Sequence, residues 1–545
     1  MKKSHKLALA VSLLAGAQSA SALTPWTEGA PDIVVYTSGG AAQDQAYGRV
    51  VATTLAAPGS LDIFSDVDSK GSIGGRWQSF YFTGNASLPA GLAGKKIVLE
   101  KRSYGAAGYG VVPLFANNGD GLQLEHLNII GQTSGAWAAD GDPVNKKWKA
   151  TISQANAATY LTKVVSDGGF LGVDPDILLK PNTENYPVPV NELITGAPEP
   201  DWEFNINQVP AGFTQVSTGG LVYGVAVTED LYKVLQAAQK RAGSLPGSVT
   251  IGAYDANSLP NLNRNFVASI LAGKIGSWEQ VKIVDKTAGD TAKSLTDPAL
   301  LTDAGVAAPF QNADAKTPVG VGRRNNGAAI GAVAYAKFLN YPGTANANKP
   351  ADNTPDGDED IAAPIVKSPG GVNATLNLLK DWNNGANASG LNPGLQKIWG
   401  IAVNSGDKDP GANPWRYVKI DGYAPTIENV AAGVYPHWAE GVVLYRTDKP
   451  GDSQWADKKA LLKAFADDLG SPNVAKAVNS TLAFGVSGIF ATTKDPRGFT
   501  TQIPFSADNP VVPLTHFCTA TNSTQTSIVP VADDQANGGL QIQLK

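Results

Sequence analysis

The chain has 545 residues, of which 43% are hydrophobic and 17% charged, with 59 glycines and 35 prolines. This apolar content excludes a disordered chain, and the length predicts roughly two to four domains' worth of folded protein. The formal net charge is −5 at pH 7, so nucleic acid and anionic membranes are not expected partners. Abundant glycine and proline with low charge favour a loop-rich α/β protein over a helical bundle.

The first 22 residues are predicted to be a secretory signal peptide. They contain a basic region with three lysines, an apolar run from Leu7 to Ala17, and a cleavage site of small residues ending at Ala22. The apolar run is too short to cross a bilayer, which takes ~20 residues. We therefore expect a soluble protein, exported to the periplasm or secreted, without membrane insertion. Cys518 is the only cysteine, so no disulfide can form within the chain.

Strand–turn–helix units recur along the chain. Each combines a short β-branched run with a turn of small residues: Asp32 to Thr37 with Ser38-Gly39-Gly40-Ala41, Lys96 to Lys101 with Ser103-Tyr104-Gly105-Ala106, and Val319 to Gly322 with Arg323 to Ala329. Such turns are expected at the carboxyl edge of a parallel sheet, where α/β folds bind ligands. Each turn alone is weak evidence, because glycine-rich turns also serve as plain connections.

Two longer stretches are polar. Residues 180–210 are rich in proline and asparagine and predict a surface connection. Residues 341–395 carry an acidic run from Asp352 to Asp360 and predict a solvated insertion. An EF-hand interpretation of this run fails because Thr354 and Ala363 stand where oxygen ligands are required. No metal site is predicted.

The segment from Tyr417 to Pro436, which reads YVKIDGYAPTIENVAAGVYP, resembles the phosphate-binding protein of bacterial phosphate ABC transporters, a type 2 periplasmic binding protein. It is similar to that family's strand, its GxxPTxENV helix and its GxYP return strand. Phe266 to Trp278 is similar to the family's IFxGKIxxW element, and Ala460 to Ala475 to its C-terminal helical pair. The resemblance covers most of residues 30–490 and leaves the insertion and the tail after residue 495 unexplained.

The resemblance implies an α/β fold of two domains joined by two hinge crossings, with a ligand cleft between the domains. The crossings would lie near Pro210 to Val227 and near Tyr417 to Leu444. Domain I would then comprise residues 23–215 and 436–545, and domain II residues 216–435 with the polar insertion at 341–395. The implied partners are a small anion, phosphate or a related oxyanion, and an ABC permease. No cofactor is implied.

A ligand site is carried over by position. A dehydrated oxyanion needs many hydrogen bonds, and arginine supplies charge with a bidentate fork. The family's RxDGSGT loop falls on Arg323 to Ala329, where Asn325 replaces the acid, and Gly327 and Ala329 replace two hydroxyl residues. No Ser-Asp pair stands where the family has one, so Asp167 or Asp174 is the expected substitute.

The ligand-binding residues predicted in this way are Ser38, Gly39, Gly40, Ala41, Ser103, Tyr104, Gly105, Asp167, Arg323, Arg324, Asn325 and Asn326. A larger, partly organic pocket built with Trp77, Tyr104 and Tyr109 stays open as a variant of this site. The alternative is that these three aromatic residues pack in the core, as aromatic residues more often do.

Two other classes of function stay open. His126, His437 and His516 show no metal-ligand spacing, and neither GxSxG nor a P-loop motif occurs, so an enzyme is not expected. A carboxylate-based hydrolase would leave no such motif. The main alternative is a secreted structural or adhesive protein that kept the fold but lost the transport ligand. The missing loop hydroxyls and the Thr/Asn/Gln-rich tail from Thr519 favour it.

Overall fold

The computed structural model describes residues 28–68, 73–116, 121–140, 146–202, 206, 209–342, 348–354, 363–492 and 511–512. The predicted signal peptide, Cys518, His516 and the predicted tail from Thr519 lie outside the described residues. Within these ranges no helix has the length and apolar character needed to cross a membrane.

The strands are β1 (Ile33–Gly39), β2 (Asp62–Val67), β3 (Ile73–Thr83), β4 (Lys96–Arg102), β5 (Gln123–Leu127), β6 (Ala138–Ala139), β7 (Lys146–Thr151), β8 (Leu161–Val165), β9 (Gly168–Leu171), β10 (Phe213–Thr228), β11 (Asn261–Leu262), β12 (Lys282–Asp285), β13 (Thr291–Ser294), β14 (Gly320–Gly322), β15 (Ile365–Lys367), β16 (Gly400–Ser405), β17 (Trp415–Tyr417), β18 (Lys419–Ile420), β19 (Trp438–Arg446), β20 (Ser480–Leu482), β21 (Gly485–Ser487), β22 (Ile489–Thr492) and β23 (Val511–Val512).

The α-helices are α1 (Asp44–Val50), α2 (Val112–Phe115), α3 (Ala157–Tyr160), α4 (Glu229–Ala242), α5 (Arg264–Leu271), α6 (Pro298–Ala304), α7 (Ala329–Ala334), α8 (Val372–Asn384), α9 (Ile427–Ala431), α10 (Trp455–Leu469) and α11 (Pro472–Val478). Turns of 3-10 helix span Ala41–Gln43, Ala107–Gly110, Ser134–Ala136, Pro175–Leu178, Trp278–Gln280 and Lys286–Ala288, and π-helical turns extend α1 over Val51–Leu55 and α7 over Tyr335–Leu339.

One 15-stranded sheet dominates the described residues, and β10 lies between its two parts. The part ordered β19-β9-β1-β4-β3-β2-β7-β6 is called the first half below, and the part ordered β16-β14-β15 the second half. β10 pairs with β19 from Phe213 to Val222 and with β16 from Tyr223 to Val227. A register shift between Ser217 and Gly220 interrupts the first of these ladders. A single long strand therefore belongs to both halves.

The parallel pairings place the predicted turns at sheet edges. β1 is parallel to β4 and β9, and β14 is parallel to β15 and β16. Parallel strands have their carboxyl ends on one edge, so the turns after β1, β4 and β9 share an edge, as do those after β14, β15 and β16. The predicted mixed α/β character and the strands expected before each turn are confirmed.

Side chains on opposite faces of β4 enter different cores. Val98 packs with Trp77 and Leu127, whereas Leu99 packs with Val35 and Leu462 on the face that α10 covers. This follows from the two-residue repeat of a strand, which sends neighbouring side chains to opposite faces. A third cluster of buried side chains runs from the turn after β4 into the second half.

The prediction of a solvated insertion at 341–395 is wrong for residues 365–384. β15 extends the sheet beside β14, and α8 buries Leu378, Leu379 and Trp382. Thr375, Leu378, Leu379 and Trp382 repeat at three- and four-residue spacing, which marks one buried face of a helix. The composition of the segment, rich in asparagine and glycine, hid this pattern.

Candidate functional site

The turns after β1 and β4 pack directly against each other. A Cβ on Gly40 would lie 3.1 Å from the Cβ of Ala107, and the Ser38 hydroxyl donates a 2.7 Å hydrogen bond to the Tyr109 carbonyl. A Cβ on Gly39 would lie 1.8 Å from the Phe170 carbonyl oxygen, so this position has no room for a side chain. The glycines of the first turn thus allow close packing between β1, β9 and the turn after β4.

The loop after β14 reaches the same place from the second half. The backbone N–H of Gly108 donates to the Gly327 carbonyl at 2.8 Å. This hydrogen bond joins the turn after β4 to the loop that contains both predicted arginines.

Gly172, which follows β9, lies where the turns of the first half meet the loop after β14, a place called the junction below. A Cβ there would lie 3.2 Å from Tyr223 Oη, 3.3 Å from Ala42 Cβ and 3.6 Å from Ala329 Cβ. The Tyr223 hydroxyl also donates to the Gly172 carbonyl at 2.8 Å. Residues following β1, β9 and β14 therefore converge beside β10.

Arg324 is a buried guanidinium at this junction. Its residue is only 6% exposed, and among the described residues no acceptor lies within hydrogen-bonding reach of Nε or Nη1. Burial lowers the pKa of Arg324 to about 10, and the groups that oppose this shift are the phenols of Tyr335 and Tyr223. A buried charged donor left unpaired costs free energy of folding, by about 1–3 kcal/mol or more. Arg324 therefore offers unused donors and an uncompensated positive charge.

The neighbouring Arg323 is used differently. Its Nη1 donates to the Ala351 carbonyl at 2.6 Å and its Nη2 to Asn326 Oδ1 at 3.2 Å, so both residues brace the loop. Asn325 donates a 3.4 Å hydrogen bond to the Asn326 carbonyl, while its buried Oδ1 has no described partner. Arg323 Nε is also buried without a described partner, so all three residues keep a polar atom open, but only Arg324 lacks a described partner on two guanidinium nitrogens.

Ser103 is engaged within the first half. Its hydroxyl accepts a 2.7 Å hydrogen bond from Lys101 Nζ and donates to Asp44 at 3.3 Å. Lys101 and Asp44 form an ion pair at 2.8 Å. Desolvation raises the pKa of Asp44, and the charge of Lys101 partly offsets this shift.

Tyr104 and Gly105 also serve the turn itself. The Tyr104 hydroxyl donates to the Asn191 carbonyl at 3.0 Å. Gly105 has a φ of +95°, and a Cβ there would lie 2.3 Å from the ring of Tyr109. This glycine permits the turn and seats Tyr109 against it.

Asp167 is held in an ion pair of the first half. Its Oδ1 accepts from Lys449 Nζ at 2.7 Å, its Oδ2 accepts from the Tyr36 N–H at 3.1 Å, and Lys458 Nζ lies 3.8 Å away. The other expected substitute, Asp174, caps the following 3-10 turn by accepting from the Asp176 N–H at 2.9 Å. Neither acid is included in the proposed site.

Sequence reasoning missed part of the stretch at 180–210. It was expected to be a surface connection, but Asn185, Glu199 and Trp202 are buried. Asn185 is fully buried, and both polar atoms of its amide lack a described partner. The role of Tyr223 was missed as well, because nothing in a strand sequence shows which hydroxyl faces a junction.

A hydrogen-bonded His–Ser chain lies beneath the first turn. His126 Nε2 is 3.0 Å from Ser166 Oγ, which donates to Ser38 Oγ at 3.0 Å. All three side chains are buried, and burial lowers the pKa of His126 well below its ordinary value. This chain supports the turn and reaches no solvent. No group of three His, Cys, Asp or Glu side chains placed to hold a metal ion occurs in the part of the chain that the structure covers.

No family model and no curated protein matches the chain. Among solved structures, an ABC-type phosphate transport receptor from Vibrio cholerae is 12% identical, with 59% of this chain and 83% of that chain covered and a TM-score of 0.25. A phosphate-binding protein from Stenotrophomonas maltophilia is 10% identical, with 64% and 81% covered and a TM-score of 0.27. An ancestral soluble variant of the human phosphate binding protein is 12% identical, with 62% and 79% covered and a TM-score of 0.28. Likeness at these TM-scores carries no argument about fold or function.

Proposed function

We propose that the chain is an exported solute-binding protein that binds phosphate or a related oxyanion at Arg324, between two domains that correspond to the two halves. The observation that carries this proposal is the buried Arg324 guanidinium with unpaired Nε and Nη1. An oxyanion would supply both the missing acceptors and the missing negative charge. In transport, an ABC permease would be the partner of the loaded protein.

The proposed hinge uses two crossings of the chain. The first is β10, which pairs with strands of both halves. The second is the connection from α9 to β19, where the Tyr435 hydroxyl donates to the Tyr223 carbonyl at 2.7 Å and the Tyr223 N–H donates to the His437 carbonyl at 2.9 Å. Two adjacent connections between the two halves of the sheet are a suitable hinge for closure around a ligand.

The charge around Arg324 indicates which anions fit. Among the described residues, the groups that act on the pKa of Arg324 besides burial are the phenols of Tyr335 and Tyr223, and no carboxylate is among them. Asn325 stands where a proton-accepting acid would be expected in a phosphate site. The site therefore has no need of a proton on the ligand, and we propose that it accepts fully ionised oxyanions.

The proposal is tested by thermal melts of the full chain after ligand has been stripped by unfolding and refolding. Phosphate and a panel of other oxyanions should raise the melting temperature saturably, since a ligand that binds only the folded state stabilises it. Arg324→Lys should abolish or greatly weaken this shift. Arg49→Lys, at an exposed position in α1, is the matched control and should leave it unchanged.

The absence of a shift with every anion, in protein that is folded, would contradict the proposal. The structural or adhesive alternative would then be favoured. One observation already supports that alternative: Ser38 and Ser103, the hydroxyls of the first-half turns, are both engaged within the protein.

A further inference from the structure

Residues 181–191, called the strap here, contact the turn after β4 and the loop that contains Arg324. On the first-half side, the Val190 N–H donates to Tyr109 Oη at 3.0 Å, and the Asn191 carbonyl accepts from the Tyr104 hydroxyl at 3.0 Å. Both tyrosines belong to the turn after β4. The carboxyl end of the strap is therefore fixed to that turn.

The other end of the strap is bound to the second half. Glu184 forms an ion pair with Lys349 at 3.2 Å and accepts a hydrogen bond from the Tyr341 hydroxyl. Tyr341 and Lys349 both follow the π-helical turn that extends α7. The strap thus crosses from one half to the other.

Pro187 lies where the two halves meet. A Cβ on Gly108 would be 2.4 Å from Pro187 Cβ, and a Cβ on Gly327 would be 2.8 Å from Pro187 Cα. These are the two glycines that join the turn after β4 to the Arg324 loop through their 2.8 Å backbone hydrogen bond. The proline ring covers this joint, and any side chain on either glycine would displace it.

Asn185 lies between Glu184 and Pro187 in the strap and is fully buried. Its Oδ1 and Nδ2 have no partner among the described residues. Its neighbour Glu184 acts on the phenol of Tyr335, as do the charges of Arg323 and Arg324. The Tyr335 hydroxyl donates to the Arg324 carbonyl at 3.3 Å, and its ring centroid lies 6.5 Å from that of Tyr341, which donates to Glu184. The strap and the Arg324 loop are therefore linked through these two tyrosines. An amide buried without a partner is costly, and an anion could accept a hydrogen bond from its N–H group.

We infer that the strap closes the Arg324 site and that Asn185 donates an amide N–H to the bound anion, which restricts the ligand to small inorganic oxyanions. This inference rests on the proposed function. Glu184 and Pro187 hold the strap closed, and a ligand with an organic group would have to displace them. Release of the anion then requires the strap to leave the second half.

The test for Asn185 is calorimetric titration of inorganic phosphate into the full ligand-free chain. Asn185→Asp replaces a donor with a negative charge and should weaken phosphate binding by about 10-fold to 100-fold, the range of a hydrogen bond to a charged group. Asn182→Asp is the matched control, because it adds the same charge at an exposed position of the same strap. It should change the affinity by less than about threefold, as an exposed charge does.

The test for closure compares phosphate with glycerol 3-phosphate. Gly327→Ala should unseat Pro187, speed phosphate release in stopped-flow experiments and narrow the preference for phosphate over glycerol 3-phosphate. Gly289→Ala is the matched control: its φ of +70° is close to the +73° of Gly327, and a Cβ there would have no atom within 4 Å. Gly289→Ala has the same energetic cost of placing a Cβ on a residue with positive φ, but its side chain does not contact the strap.

The outcomes separate the two claims. Wild-type affinity in Asn185→Asp, with phosphate binding intact, overturns the role of Asn185. An unchanged preference and release rate in Gly327→Ala overturn closure by the strap. A wild-type chain that binds no anion overturns the proposed function and this inference with it.

Discussion

Arg102 and Arg324 are buried arginines at comparable positions: Arg102 is the last residue of β4, Arg324 lies two residues after β14, and each precedes a turn of small residues. Arg102 is fully buried, and each of its guanidinium nitrogens has a partner: Nε donates to the Glu125 carbonyl at 3.1 Å, Nη1 to the Tyr104 carbonyl at 2.5 Å and Nη2 to Glu199 at 3.2 Å. Arg324 has no described partner on Nε or Nη1. The same residue type thus completes a core in the first half and leaves a charge open in the second.

The contrast between the two arginines shows that unpaired buried polar atoms, rather than glycines, are the feature of such a turn that indicates ligand binding. The turn after β4 and the loop after β14 both carry glycines that allow close backbone contact. Within the described residues, only the loop after β14 also leaves buried polar atoms without a partner. Unpaired buried polar groups are rare in folded proteins and call for an explanation, whereas glycines are explained by packing alone.

Replacing each arginine with methionine should give the largest contrast. Arg102→Met leaves Glu199 buried without its cation and should destabilise the protein by about 3–5 kcal/mol. Arg324→Met removes an unpaired charge and should be neutral or stabilising by about 1–3 kcal/mol in ligand-free protein. Urea denaturation followed by fluorescence measures both changes. Equal destabilisation by the two substitutions would show that Arg324 has a partner within the protein.

The buried histidines extend the comparison to acid stability. His126 has a serine partner, whereas both ring nitrogens of His437 lack one among the described residues. Burial and the charges of Lys337 and Arg264 lower the pKa of His437 to about 3. Because the folded state disfavours protonation of His437, the histidine does not reduce the stability of the protein above pH 6.5, its ordinary pKa. As the pH falls from 6.5 towards 3, the unfolded chain binds a proton that the folded chain does not, and the free energy of unfolding decreases.

His437→Phe should therefore reduce the acid sensitivity of the protein. The ring stacks on Phe338 with centroids 4.2 Å apart, so phenylalanine can occupy the same space. Between about pH 6 and 4 the variant should lose about 2.5 kcal/mol less stability than the wild type, since the slope approaches 1.36 kcal/mol for each pH unit between the two pKa values. Urea midpoints across this range measure the difference, and parallel curves for the two proteins would contradict the assignment.

Single polar deletions should separate stability from binding. Ser38→Ala removes hydrogen bonds to Tyr109 and Ser166, so it should cost about 1 kcal/mol of stability while phosphate affinity stays unchanged. Asn325→Ala should not weaken binding of ionised phosphate, because the open atom of Asn325 is Oδ1, which can only accept a hydrogen bond. Paired denaturation and calorimetric titration measure both. Loss of affinity in Ser38→Ala would place the first-half turn in the ligand site.

The smallest expected effect is that of pH on phosphate affinity. Because no carboxylate among the described residues shifts the pKa of Arg324, removing a proton from phosphate should leave the affinity unchanged or raise it, by no more than about threefold between about pH 6 and 8. Calorimetry at both pH values measures this. A clear loss of affinity as phosphate becomes doubly ionised would reveal a proton acceptor in the site.

Much of the local structure could be predicted from the sequence, whereas the pairing of polar groups could not. Periodicity and small-residue turns located β1, β4 and β14 because those signals lie within a few residues. Whether Arg102 is paired depends on Glu199, which lies 97 positions away in the chain. No local pattern distinguishes this paired arginine from the unpaired Arg324.

The same reason explains the two mistaken stretches. Composition suggested solvated loops at 180–210 and 341–395, but burial depends on what packs against a segment. Asn185 is buried because Pro187 and Glu184 attach the strap to both halves, and α8 is buried because one of its faces is apolar. Polar composition in a connecting segment is therefore a poor guide to exposure when the segment crosses a junction.

The most direct test of the central claim is calorimetric titration of inorganic phosphate into ligand-free wild-type chain and Arg324→Met side by side. The account predicts saturable binding of one phosphate per wild-type chain and none to a folded Arg324→Met variant. Equal phosphate binding by both proteins, or none by the folded wild type, would contradict it.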